Sequence, residues 1–342
     1  MSETIQGIEE LNLTRKDFVP SNEVRWCPGC GDYSILANMQ KTLPVLGVKK
    51  ENYAFISGIG CSSRFPYYMD TYGFHSIHGR APAIASGVKL ANPDLAVWVI
   101  TGDGDGFSIG GNHMIHVLRR NIDLNILLFN NRIYGLTKGQ YSPTSQLGMK
   151  TKSSPFGSID RPFNPSAVAL GANATFIARA LDVDGKGLQE NIKRAQRHKG
   201  ASFIEVYQNC VIFNDGEFSD VENKATRPDS ALFVVHGEPM IFGKEHDKGI
   251  IMKDNHPKVV SLGGDWSEKD LLVHDETNSN ITNLLLEMTF DPLNPTPFGV
   301  LRAIEAPTYD ELLHSQISDV IRIKGEGTLE DLFYSGDVWE IK

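Results

Sequence analysis

Residues 96–104 read AVWVITGDG, an apolar run without polar alternation that ends in an acid between two glycines. A strand that is apolar at consecutive positions is buried on both faces. In a globular domain this places it inside a parallel sheet flanked by helices. The glycines put a tight turn at its carboxyl end, and residues 110–120 carry helical spacing. A second apolar run, residues 124–129, ends at Asn130-Asn131. Strand, glycine turn, helix and returning strand form one unit of a doubly wound α/β fold, in which ligands sit beyond the carboxyl ends of the strands.

The flanking segments extend this pattern. Residues 32–43 have helical spacing at Ile35, Leu36, Met39 and Leu43, and residues 53–57 read as a short strand that ends in Gly58-Ile59-Gly60-Cys61. Residues 80–90, 165–170 and 187–198 read as helices, and 203–207 as a strand. Residues 141–164, rich in Ser, Pro, Thr and Gly, have no periodicity, and a loop of that length is either functional or disordered. Residues 1–24 read as a polar lead-in and 25–220 as the ligand-binding domain. Residues 221–342 read as an extension facing a partner subunit, where the prolines of residues 291–297 break any helix.

With 41% hydrophobic residues in 342, the chain can bury a large core, and its net charge of -9 argues against nucleic acid as a partner. No apolar run reaches membrane-spanning length. The opening MSETIQGIEE lacks the features of a secretory or mitochondrial targeting segment. Four cysteines with a CxxC spacing fit a reducing, cytoplasmic setting.

Gly102 and Gly104 let backbone N–H groups approach a diphosphate, and Asp103 offers a carboxylate to Mg²⁺, a cation that prefers hard oxygen ligands. Asn131 follows Asp103 by 28 residues, enough for loop, helix and returning strand, and its amide oxygen with a carbonyl near Ile133 would complete the coordination. No GxxxxGK[ST] is present, and GDGDGF lacks the spacing of a dinucleotide fingerprint. The pattern looks like the diphosphate motif of thiamine-diphosphate enzymes.

The cysteines stand as Cys27-Pro-Gly-Cys30, Cys61 and Cys210. A thioredoxin-like dithiol would not need the last two. Zinc, an iron–sulfur cluster and incidental buried thiols all remain open on spacing alone.

Taken together, WCPGCG, GIGCSSR, HSIHGRA, GDGDGFSIGGNH and NNRIYGLTKGQYSPT, with the late Cys210, resemble the beta subunit of 2-oxoacid:ferredoxin oxidoreductases over residues 25–215. The resemblance implies that Cys27, Cys30, Cys61 and Cys210 bind one 4Fe-4S cluster. It implies Mg²⁺ on Asp103, Asn131 and the Ile133 carbonyl. Thiamine diphosphate would be contacted by Ile59, Gly60, Cys61, Ser62 and His78, with Gly102, Gly104, Asp105, Gly135, Leu136, Thr137, Lys138, Gly139 and Gln140 around its diphosphate. It further implies a thiamine enamine oxidised one electron at a time by the cluster, capture of the acyl group by coenzyme A, and ferredoxin as electron acceptor. The glutamate that activates the cofactor is expected on a separate alpha subunit, in an (αβ)₂ heterotetramer, so no catalytic residue is assigned in this chain. No CxxCxxCxxxCP run is present, which departs from the multi-cluster pyruvate enzymes.

Arg64 and Lys138 are candidates for gripping a substrate carboxylate, against a reading as solvated charge or phosphate contacts. The block pattern is most similar to the 2-oxoglutarate branch, with a pyruvate or broad-specificity enzyme as the rival. A non-redox thiamine decarboxylase with structural cysteines, and a cofactor-free scaffold, are the alternatives from other classes. His113, Arg119 and Arg120 are assigned no role.

Overall fold

The computed structural model describes residues 12–341. Its strands are β1 (Tyr53–Ser57), β2 (Tyr72–His75), β3 (Ala96–Gly102), β4 (Asn125–Asn130), β5 (Ile133–Tyr134), β6 (Gln140–Tyr141), β7 (Phe176–Leu181), β8 (Ser202–Tyr207), β9 (Ala231–Phe233), β10 (Ile241–Phe242), β11 (Lys248–Lys253), β12 (His256–Ser261) and β13 (Thr296–Ala303). Its helices are α1 (Asp32–Thr42), α2 (Ala81–Ala91), α3 (Gly111–Arg120), α4 (Pro165–Gly171), α5 (Gly185–Arg197), the single turns α6 (Ser219–Glu222) and α7 (Arg227–Ser230), α8 (Ser279–Met288), α9 (Tyr309–Lys324) and α10 (Leu329–Phe333). Eight strands form the principal sheet in the order β2-β1-β3-β4-β8-β7-β13-β9. All neighbours are parallel except β7 and β13.

The apolar runs feed two cores, because successive side chains of a strand face opposite sides of the sheet. On β3, Val97 and Val99 point to one core, and Trp98 and Ile100 to the other. The first core is capped by Ala81 and Ala85 of α2, Met114 and Leu118 of α3, and Leu284 and Leu285 of α8. The second is capped by Ile35 and Met39 of α1 and by Leu188 and Ile192 of α5. This is the expected doubly wound α/β arrangement. Truncating a fully buried ring such as Trp98 to Ala would cost about 3–5 kcal/mol.

Four strands of the sheet, β2, β7, β9 and β13, escape the sequence pattern. β2 is an edge strand whose residues are mostly exposed, so it carries no apolar run. β7 is interrupted by Arg179, which is fully buried and pairs at 3.0 Å with Glu205 on β8. β13 begins Thr-Pro-Phe, just after the proline-rich segment that separates it from α8. The principal sheet therefore takes in β9 and β13 from beyond residue 220, while β10, β11 and β12 form a small sheet of their own. Part of the lead-in lies in residues 1–11, outside the described residues. The rest is not simply polar: Phe18 is fully buried, edge-on to Tyr53 at 5.9 Å. Among the described residues, no helix is long and apolar enough to cross a membrane.

Candidate functional site

The carboxyl ends of β1, β3 and β4 and the β5–β6 hairpin enclose a cavity of about 100 Å³. Ile59, Gly60, Cys61 and Ser62 line it from the turn after β1, and His78 from the turn after β2. Gly102, Asp103, Gly104 and Asp105 line it from the turn after β3, with Asn131, Ile133, Gly135, Leu136 and Thr137 opposite. Gly104 is required by close approach, since a Cβ there would fall within the ring of Tyr134. The Tyr134 hydroxyl donates to the Gly104 carbonyl at 3.0 Å, tying hairpin to turn.

Asp103 is buried, and its Oδ2 accepts from the Ser142 and Thr144 hydroxyls, each at 2.5 Å. Burial pushes its carboxyl up to about 6, against the pull of those two hydroxyls. Asn131 donates to Gln208 Oε1 at 2.8 Å and accepts the Ile133 N–H at 3.2 Å. Its oxygen is thereby turned toward the residue expected to supply a carbonyl ligand. Asp105 also lines this cavity and is already engaged. Its oxygens already accept from the N–H groups of Ile59 (3.1 Å) and Gly79 (2.7 Å) and from Thr101 (2.7 Å), and one lies 2.6 Å from His78 Nδ1. The carboxylate thus joins three turns of the crest and orients the His78 ring.

A second cavity, of about 200 Å³, adjoins the first and is lined by Cys27, Cys30, Cys61 and Cys210 together with Trp26, Arg64 and Lys138. Asp32, Cys61, Asn131, Gly135 and Leu136 border both cavities. Gly135 lies beside two thiols: a Cβ there would stand in ordinary contact, at 3.6 Å, with both Cys61 Sγ and Cys210 Sγ. Burial pushes the Cys61 thiol up to about 12, and Cys30 is raised further, with the neighbouring thiols adding to both shifts. Trp26 Nε1 donates to the Cys61 carbonyl at 2.7 Å and fixes that turn. The four thiols line this one cavity, and among the described residues no group of three His, Cys, Asp or Glu side chains forms a single-ion site.

Two buried polar groups here have no hydrogen-bond partner. Both oxygens of Asp32 are orphaned, and burial pushes its carboxyl up to about 7, with Cys30 easing the shift and Asp182 adding to it. Ser62 Oγ, on the wall of the first cavity, is the other. A Cβ on Gly102 would lie 3.4 Å from it.

Arg64 and Lys138 border the cysteine cavity and not the first one, and Arg64 donates to the Arg25 carbonyl at 3.2 Å. Gly139 and Gln140 border neither cavity: Gly139 packs on Phe213, and Gln140 accepts from Thr137. Sequence reasoning missed Ser142, Thr144, Tyr134, Asp32 and Gln208. The hydroxyl-dense stretch Tyr-Ser-Pro-Thr-Ser of residues 141–145 was the available signal for the first two.

This crest defines the class of protein, because residues 58–206 match the family described as "Thiamine pyrophosphate enzyme, C-terminal TPP binding domain". The chain is 52% identical to the 2-oxoglutarate oxidoreductase subunit KorB of Mycobacterium tuberculosis over 95% of its own length and 88% of that protein. It is 48% identical to the beta subunit of 2-oxoacid:ferredoxin oxidoreductase 1 of Aeropyrum pernix, over 56% of this chain and 60% of that one. Among solved structures, a chain of the 2-oxoglutarate:ferredoxin oxidoreductase of Magnetococcus marinus superposes with a TM-score of 0.75 at 33% identity, over 97% of this chain and 99% of that one. That structure is described with 2-oxoglutarate, coenzyme A and succinyl-CoA bound. The chain belongs to the 2-oxoacid:ferredoxin oxidoreductase beta subunits, in the branch of the 2-oxoglutarate enzymes.

Proposed function

We propose that this beta subunit works with a separate alpha subunit, in the reducing cytoplasm. Together they interconvert 2-oxoglutarate, coenzyme A and two oxidised ferredoxins with succinyl-CoA, CO₂, two reduced ferredoxins and a proton. The observation that carries this reading is the wall shared by the oxygen-lined and sulfur-lined cavities, with Cys61 in both. When bound, thiamine diphosphate supplies an electron sink for the pair released as a 2-oxo acid loses CO₂, and a 4Fe-4S cluster next to it supplies a one-electron acceptor.

Asp103, the Asn131 amide oxygen and the Ile133 carbonyl form a hard-oxygen set suited to Mg²⁺. Gly102 and Gly104 present backbone without Cβ to a diphosphate, and the orphaned Ser62 hydroxyl is free to donate to it. His78, held through Nδ1 by Asp105, turns Nε2 away from that carboxylate as a second polar contact. The thiols of Cys27, Cys30, Cys61 and Cys210 suit a cluster, in which each sulfur binds its own iron. Arg64 and Lys138 set two cations on the wall of the cysteine cavity, as candidates to meet a substrate carboxylate.

A second reading, a broad 2-oxoacid specificity, is favoured by the likeness to the Aeropyrum pernix protein, whose name specifies no single acid. The deciding experiment is anaerobic purification with iron, sulfide and zinc analysis, followed by coenzyme A-dependent assays with the alpha subunit. Brown protein with about four irons per chain, bleaching on reduction, and turnover of 2-oxoglutarate well above pyruvate, is the expected result. Colourless protein with one zinc overturns the redox assignment, and equal turnover of the two acids establishes the broad reading.

A further inference from the structure

We propose that Ser142 and Thr144 are positioning residues for Asp103, and that through them the loop of residues 142–164 is fastened to the metal–diphosphate site. This rests on the reading of Asp103 as a Mg²⁺ ligand. Both hydroxyls lie 2.5 Å from the same carboxylate oxygen, Oδ2. Ser142, Thr144 and Asp103 are all essentially buried, at 2%, 1% and 2% exposure. A hydroxyl has one proton to give, and in each case the short contact to the carboxylate takes it. With Oδ2 held by two donors, the carboxyl cannot rotate, and Oδ1 is the oxygen left to meet a cation. Partners that orient a metal ligand in this way govern affinity almost as strongly as the ligand itself.

The same stretch is knotted to the strand end. Ser145 Oγ accepts the Ser142 N–H at 2.8 Å and donates to the Arg132 carbonyl, next to Asn131, at 2.5 Å. Phe163 N–H donates to the Pro143 carbonyl at 2.8 Å and closes the base of the loop. Its outer part carries Leu147, Phe156 and Ile159, the last two about 90% exposed or more. The buried end is therefore tied to the Asp103 carboxylate, and the outer end stands in solvent. Filling the metal site tightens the buried end and orders the rest of the loop.

The test uses the complex with its alpha subunit, stripped of Mg²⁺ by chelation. Mg²⁺ is titrated back at saturating thiamine diphosphate, and cofactor binding is followed by tryptophan fluorescence. Amide exchange of residues 146–163 is measured with and without Mg²⁺. In the S142A/T144V variant the Mg²⁺ dissociation constant should rise about 10- to 100-fold, while T144S, which keeps the hydroxyl, should behave as the wild type. Added Mg²⁺ should protect the loop in the wild type and leave it unprotected in S142A/T144V. Single S142A, with a smaller loss of affinity, serves if the double variant does not fold. Asp103→Asn is measured in parallel. If it leaves Mg²⁺ affinity unchanged, Asp103 is not a ligand and the underlying reading fails. If it abolishes binding while the hydroxyl variants bind normally, or if wild-type exchange does not respond to Mg²⁺, the positioning inference alone is overturned.

Discussion

The oxygen-lined and sulfur-lined cavities share five residues, yet their polar atoms stand in opposite conditions. Around the first, Asp103, Asp105 and Asn131 already have hydroxyl, amide or backbone partners, and Ser62 Oγ is the exception. Around the second, burial keeps the thiols of Cys30 and Cys61 protonated, while Asp32, both of whose oxygens are without a partner, stands on the wall shared with the first. A buried group that is fully hydrogen-bonded holds its geometry in the empty chain, whereas one that is unsatisfied costs free energy until a ligand arrives. The oxygen site is therefore preorganised, and the sulfur site depends on the charge of its occupant to draw off the thiol protons.

The largest effect that separates the two is expected from Cys210→Ser. It should abolish iron content and ferredoxin reduction and leave the affinity for thiamine diphosphate, measured by fluorescence titration, close to that of the wild type. A parallel loss of cofactor affinity would mean that the two cavities form as one unit, and the contrast would fail.

Next in size is Glu205→Ala, which removes the support beneath the oxygen site. Glu205 accepts from Asn130 at 2.8 Å and from Ser166 at 2.7 Å, and it neutralises the fully buried Arg179. Leaving that cation unpaired should cost about 3–5 kcal/mol in chemical denaturation. Glu205→Gln, which keeps the hydrogen-bonding shape, should be compared with it, and equal stability of the Ala variant and the wild type would refute the supporting role.

A third effect depends on pH. Because burial raises Asp103 to about 6 from 3.8, its contribution to the stability of the ligand-free chain is complete below 3.8 and is lost as pH rises through about 6. Asp103→Asn should therefore gain in Tm relative to the wild type across that window without ligand. With Mg²⁺ and thiamine diphosphate present, the order should reverse, since the metal requires the carboxylate. An Asn variant whose relative Tm does not change with pH would show that Asp103 does not titrate there.

The smallest effect expected is that of Arg64→Ala, a several-fold rise in KM for 2-oxoglutarate with little change for pyruvate. Equal shifts for both acids would leave Arg64 as part of the cysteine wall alone.

How far these regions could be read from residues follows the same division. The β3 and β4 runs, the glycine turn and Asn131 are local patterns, and each lies where its spacing placed it. The four cysteines could be grouped from the sequence, but only folding brings Cys61 and Cys210 to one cavity wall, both beside Gly135. Arg179 hid β7, because a buried cation makes sense only beside Glu205 on another strand. Ser142 and Thr144 lay in a stretch with no periodicity, where the density of hydroxyls was the one local sign, and the aspartate that Ser142 serves stands 39 positions earlier. Arg64 and Lys138 were legible as cations, whereas their place beside the cysteines is a three-dimensional fact.

The insertion of β13 between β7 and β9 bears on how the chain is made. On a ribosome, residues 231–233 emerge as a strand whose sheet neighbour among the described residues, 296–303, has yet to be synthesised. Until then the open edge of β7 is available to any other extended segment, from this chain or from a second one. Pairing over such sequence separations is slow, so the interval between the two segments is when a nascent chain would be most prone to aggregate and most in need of a chaperone.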